Sequence, residues 1–139
     1  MAEEHPARLA SQRSMSCAER KAKEEWLALY TDDAILEDPV GSSPLDPEGK
    51  GHRGKEALNV FWDSNIANSG TKFTIRESYV AGNEVANVGR IDLTLADGST
   101  AICDGVFVYK VNDEGKIVSL RTFWEFEKMM ATIKPASGS

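Results

Sequence analysis

Thr100-Ala101-Ile102-Cys103-Asp104-Gly105-Val106-Phe107-Val108-Tyr109-Lys110-Val111 is the stretch on which the reading of the fold turns. Its β-branched and aromatic residues favour a pleated strand over a helix. Alternation puts Ile102, Asp104, Val106 and Val108 on one face and Cys103, Gly105, Phe107 and Tyr109 on the other. Neither face is polar, which predicts a central strand covered on both sides. Upstream, Ala96-Asp97-Gly98-Ser99 carries the Asp-Gly pair favoured in hairpin turns. Before it, strands are expected over Lys72–Val80 and Glu84–Leu95, joined by Ala81-Gly82-Asn83. Downstream, Asn112-Asp113-Glu114-Gly115 turns the chain into a last strand, Ile117–Trp124.

The first half of the chain has a different period. Pro6 suits a first helical turn, and Ala7, Ala10, Ser14 and Cys17 follow at helical spacing as a stripe of small residues. A second helix is expected over Lys21–Tyr30, with Ala22, Trp26, Leu29 and Tyr30 near one face. A third, Lys55 to about Asn68, presents Ala57, Leu58, Phe61, Trp62, Asn65 and Ile66 together. Helices followed by an antiparallel meander predict an α+β fold, with the helices on one face of a curved sheet.

Composition narrows the function classes. The 139 residues suit one domain, and 41% hydrophobic with 27% charged residues is ordinary for a soluble protein. Acids outnumber bases 22 to 16, a net charge of -6, which argues against nucleic acid and against an anionic membrane surface. No apolar run is long enough to span a bilayer, and Met1-Ala2-Glu3-Glu4-His5 lacks the features of a signal peptide. Cys17 and Cys103 form no disulfide framework, so a cytoplasmic location is expected. Residues 1–5 and 134–139 are expected to be disordered. Gly49-Lys50-Gly51-His52-Arg53-Gly54-Lys55 has the spacing of a phosphate-binding loop, but Glu56 stands where Ser or Thr should hold magnesium, and no buried strand leads in. No metal or cofactor is expected.

Two carboxylates stand out. Ala34-Ile35-Leu36 reads as a strand that breaks at Glu37-Asp38-Pro39-Val40-Gly41-Ser42. Asp38 therefore sits at the lip of a strand before a rigid corner, where it either starts a turn or serves as a base at a pocket mouth. Asp104 is a lone acid in an apolar row. Buried and unpaired it should be neutral, and so a hydrogen-bond donor; otherwise it pairs with an arginine such as Arg90 or Arg121. Together the two could abstract a proton beside a carbonyl and donate to the oxygen that becomes negative.

These residues resemble the ketosteroid isomerase family, small cone-shaped α+β proteins related to the nuclear-transport-factor-2-like and polyketide-cyclase-like folds. The most specific part is Leu29-Tyr30-Thr31-Asp32-Asp33-Ala34-Ile35-Leu36-Glu37-Asp38-Pro39-Val40-Gly41-Ser42, and Gly115-Lys116-Ile117-Val118-Ser119-Leu120-Arg121 is similar as well. The resemblance implies an apolar pocket for a steroid-like molecule, with Asp38 as the proton-shuttling base, protonated Asp104 as an oxyanion donor and Trp124 as a pocket aromatic. The family's second oxyanion donor is a tyrosine beside a Gln-Arg pair; here Gln12-Arg13 is followed by Ser14. Another pocket tyrosine of some members falls on Trp62, and Tyr30 stands where relatives carry Tyr or Phe. Ser14, Tyr30, Phe61, Trp62 and Trp124 are thus the expected ligand contacts. The implied activity is a slow steroid delta-isomerase, and the alternative is a non-catalytic binding protein for, or an enzyme of, another hydrophobic steroid- or polyketide-like molecule on the same fold. A homodimer is expected through an outer sheet face bearing Phe107 and Tyr109.

Overall fold

The computed structural model describes residues 4–136. Helix α1 spans Pro6–Arg20; the His5 ring accepts from the Ala7 amide at its start, and Lys21, at φ 59°, turns the chain out at its end. Its buried face is small: Ala7, Ala10, Ser11, Ser14, Cys17 and Ala18, with Met15. Such a face lets the helix lie close on a sheet. Helix α2 is shorter than its spacing suggests, Lys23–Ala28. Tyr30 instead opens strand β1, Tyr30–Glu37, by pairing with Ile117. A long-range ladder has here overridden local helical periodicity.

A short strand β2, His52–Arg53, lies within the glycine-rich segment and pairs with β1. Helix α3, Lys55–Phe61, loosens into a π-helical turn over Trp62–Ile66. The meander follows as β3 (Gly70–Ala81), β4 (Glu84–Thr94), β5 (Thr100–Val111) and β6 (Ile117–Phe123), close to the expected bounds. A further helix, α4 over Phe126–Met130, has no counterpart in the sequence reading. The strand order is β2-β1-β6-β5-β4-β3, with β1 parallel to β6 and the other pairs antiparallel.

The expectation of helices against a mostly antiparallel sheet therefore holds. Trp26, Tyr30, Leu58, Trp62, Val85, Phe107 and Ile117 belong to one buried cluster between the layers. Gly89 and Gly105 face each other across β4 and β5. A Cβ on Gly89 would come 2.2 Å from the Thr74 carbonyl oxygen, and one on Gly105 would come 2.3 Å from that of Phe123. Only glycine permits backbones to approach so closely.

Strand β5 has the opposite facing to the one expected. Ala101, Cys103, Phe107, Tyr109 and Val111 are buried, whereas Asp104 and Lys110 are exposed. Asp104 lies on the outer surface, its side chain 64% exposed, 3.4 Å from Arg76. The arginine partner is thus neither Arg90 nor Arg121. A bulge in β3 between Ile75 and Glu77 leaves Arg76 and Glu77 both outward, which brings Arg76 over Asp104. The same inversion puts Phe107 and Tyr109 inside, and with it the surface argument for a homodimer falls.

Both ends of the described chain are tied down: the His5 ring lies 3.0 Å from the Gly82 carbonyl, and Lys134 pairs with Thr100. This corrects the expectation of disorder at residues 5 and 134; residues 1–3 and 137–139 lie outside the described chain. Among the described residues no helix is long and apolar enough to cross a membrane.

Candidate functional site

Parallel pairing of β1 with β6 sets Leu36 beside Leu120 and Glu37 beside Arg121. The next step carries Asp38 to Thr122. The Asp38-Pro39 peptide is cis, and the Val40 amide donates to the Thr122 carbonyl at 2.9 Å, so the corner stays fastened to β6. The Thr122 hydroxyl donates to Asp38 Oδ1 at 2.5 Å, and the Trp124 indole donates to the same oxygen at 2.7 Å. Among the described residues nothing donates to Oδ2.

Burial lifts the Asp38 carboxyl above the usual carboxylate value of 3.8, against the pull of the Thr122 and Trp124 donors and the nearby His52. Desolvation makes the carboxylate a better proton acceptor, while the two donors fix its orientation.

Asp38 opens into a cavity of about 320 Å³ between α1, the π-helical turn, the concave face of the sheet and α4. That volume is in the range of small-molecule sites. Leu36, Phe73, Ile91, Phe107, Leu120 and Phe126 give it an apolar wall. The polar lining consists of Asp38, the hydroxyls of Ser14, Tyr109 and Thr122, the Cys103 thiol, the Trp124 indole, and a group from Ser64 to Thr71 at the edge. Asp38 is the one ionisable carboxylate on this lining, which includes no Lys, Arg or His. A transition state building negative charge here would meet neutral donors only.

Four residues singled out from sequence line the cavity: Ser14, Asp38, Phe61 and Trp124. Three do not. Asp104 is outside, for the reason given above. Trp62 turns into the core against Trp26, ring centroids 5.2 Å apart. The π-helical turn begins at this residue, and Ser64, Asn65 and Ile66 reach the cavity from it instead. Tyr30 is fully buried behind the wall, its hydroxyl 2.9 Å from Ser14 Oγ and its centroid 4.8 Å from that of Trp26.

Thr122, Tyr109 and Cys103 were missed. Thr122 was available from period two: Leu120, Thr122 and Trp124 share the inward face of the last strand. Cys103 is 3% exposed, and burial pushes its thiol up to about 12, far from the thiolate that a nucleophile requires.

The model of the SnoaL-like domain matches residues 12–120. Among solved structures, the chain is 34% identical to Rv0760c from Mycobacterium tuberculosis, covering 96% of this chain and 98% of that one at a TM-score of 0.87. The same protein has also been solved in complex with estradiol-17β-hemisuccinate. A Δ5-3-ketosteroid isomerase from Mycobacterium sp. is 35% identical, with 94% of this chain and 98% of that one covered, at a TM-score of 0.85. An LEH-like epoxide hydrolase from Mycobacterium tuberculosis is 17% identical over 92% of this chain and 88% of that one at a TM-score of 0.74, a likeness of fold alone. A search of curated proteins found no match.

Proposed function

Because the chain belongs to the SnoaL-like family, of nuclear-transport-factor-2-like fold, we propose that its cavity takes a fused-ring, steroid-like ketone and that Asp38 moves a proton between carbons of that ligand. The observation that carries this reading is the state of the Asp38 carboxylate. One oxygen is held by Thr122 and Trp124, and the other is left without an internal donor in an apolar cavity. A carbon acid needs a desolvated base of this kind, held still.

The similarity to a Δ5-3-ketosteroid isomerase and to a protein solved with an estradiol derivative supports the ligand class. Ring burial supplies affinity, at about 25 cal/mol per Å² of apolar area before association costs. The reaction itself would be slow. With Asp104 outside and Ser14 in place of a phenol on α1, two donors implied by the resemblance are absent, and each such loss typically lowers the rate about a hundredfold to a thousandfold.

A second reading, a carrier that binds without turnover, is favoured by the lack of any charged or acidic donor on the lining besides Asp38. One experiment separates them. The protein is incubated with a Δ5-3-ketosteroid, and the absorbance of the conjugated product is followed beside that of an Asp38→Asn variant. Turnover abolished in the variant, with binding retained, supports the base. Binding without turnover in either protein establishes the carrier. Equal turnover in both removes Asp38 from the chemistry.

A further inference from the structure

The cavity has a hydroxyl cluster at its inner end that the proton-transfer reading does not use. Across the sheet, the row Leu36–Leu120–Tyr109–Val85 lies next to the row of Asp38, Thr122, Phe107 and Asn87 on the same face. Two residues along a strand separate these rows by about 7 Å. Tyr109 therefore stands on the same wall as the base, one row along the strands from it, and Ser14 lines the cavity from α1. Both line the cavity; Tyr30 lies behind them.

The three hydroxyls can be counted. Ser14 Oγ is 2.9 Å from the Tyr30 hydroxyl, and Tyr109 lines the cavity with Ser14. No carbonyl or carboxylate accepts from any of the three hydroxyls among the described residues. Three protons are present, and the bond between Ser14 and Tyr30 uses one. Run from Tyr30 to Ser14, that bond strands no proton in the core and leaves the Ser14 and Tyr109 protons on the cavity side. Burial holds both phenols in their neutral, proton-bearing form, and the Asp38 charge adds to that.

We infer that Tyr109 is the hydrogen-bond donor that recognises a ligand carbonyl oxygen in this cavity, with Ser14 and Tyr30 as positioning residues behind it. The inference rests on the reading of the cavity as a site for a steroid-like ketone. Within that reading it names the group that takes the developing negative charge while Asp38 holds the proton.

The test uses acceptor-only probes: a saturated 3-keto steroid and the same skeleton without the oxygen, neither of which can be isomerised. Wild type should bind the ketone about tenfold more tightly than the bare skeleton, and the infrared stretch of the bound carbonyl should lie at lower frequency than in an apolar solvent. Tyr109→Phe keeps the ring and should bring the two affinities together while returning the stretch toward its apolar value. Where turnover exists, kcat in Tyr109→Phe should fall about a hundredfold with KM little changed. Ser14→Ala, which leaves the Tyr109 donor in place but removes its support, should reduce the ketone preference by less than Tyr109→Phe does. A preference that survives Tyr109→Phe, or one that collapses in Ser14→Ala alone, overturns the assignment and leaves the reading of Asp38 standing. If wild type binds neither probe, the ligand class fails and this inference fails with it. Circular dichroism checks that each variant is folded, and Tyr109→Leu provides a second hydroxyl-free variant should the phenylalanine pack badly.

Discussion

Thr122→Val is the sharpest perturbation of the proposed base, Asp38, because it removes one hydroxyl and keeps the shape of the side chain. The Thr122 hydroxyl donates to Asp38 Oδ1 at 2.5 Å. A hydrogen bond to a charged group contributes about 1.5–3 kcal/mol, and one between neutral groups about 0.5–1.5 kcal/mol. The bond thus favours the ionised over the protonated acid by roughly 1–1.5 kcal/mol. At 1.36 kcal/mol per pH unit, its loss should move the titration of Asp38 upward by about one pH unit. The sign follows from the chemistry: the donor stabilises the carboxylate, so without it the carboxyl keeps its proton to higher pH. Since only the carboxylate can accept a proton, the acid limb of kcat/KM should move up by the same amount. The carboxyl ¹³C shift of Asp38 reads the titration directly, with or without turnover. Adding Trp124→Phe removes the 2.7 Å indole bond and should move the limb further in the same direction. An Asp38 titration unchanged within about 0.2 pH unit in Thr122→Val would refute the view that this carboxylate is tuned by its donors.

Asp38→Asn should leave the fold more stable at neutral pH, by roughly 0.5–2 kcal/mol. An acid raised by burial binds its proton more tightly folded than unfolded, so the stability cost of ionising it is absent below 3.8 and develops as pH rises through the folded value. Thermal melts at pH 3 and pH 7 check this, and a variant less stable than wild type at pH 7 contradicts it. Asp104→Asn should change turnover and ligand affinity by less than about twofold and stability by less than about 1 kcal/mol, because its pair with Arg76 is solvent-exposed; a large loss of activity would restore it to the site. Gly105→Ala should cost about 1–3 kcal/mol in urea melts, since its Cβ would meet the Phe123 carbonyl oxygen at 2.3 Å.

The architecture was legible because its signals were local. The turns at Asp97-Gly98 and Asn112–Gly115 and the small-residue stripe of α1 each have a mechanism within a few residues. Strand β5 shows where local information ends. With apolar residues on both parities, alternation defines two faces and leaves open which one is inside. That is set by α1, which packs on the face bearing Cys103, Phe107 and Tyr109; the β3 bulge only brings Arg76 over Asp104 on the other face. One inversion accounts for three errors: Asp104 in the wall, and Phe107 and Tyr109 on the surface. Trp62 failed differently. Helical spacing placed it beside Phe61, and there it packs on Trp26 of α2, a long-range contact that spacing does not reveal, while the π-helical turn after it carries Ser64, Asn65 and Ile66 to the cavity. Asp38 was visible from the strand end and the proline after it. Its two donors were not, since nothing local links residue 38 to residues 122 and 124.

That separation has a consequence for when the carboxylate acquires its surroundings. Thr122 and Trp124 stand 84 and 86 residues beyond the carboxylate they hold. During synthesis, Asp38 leaves the ribosome long before its donors exist, and until β6 docks beside β1 it is only an acid next to a proline. The setting of this carboxylate is thus a long-range property: it exists only once β6 has paired with β1. A nascent or clipped chain ending before Ile117 would carry Asp38 without the two donors that hold its Oδ1, so the state on which the proposed function rests belongs to the whole domain and to no shorter piece of it.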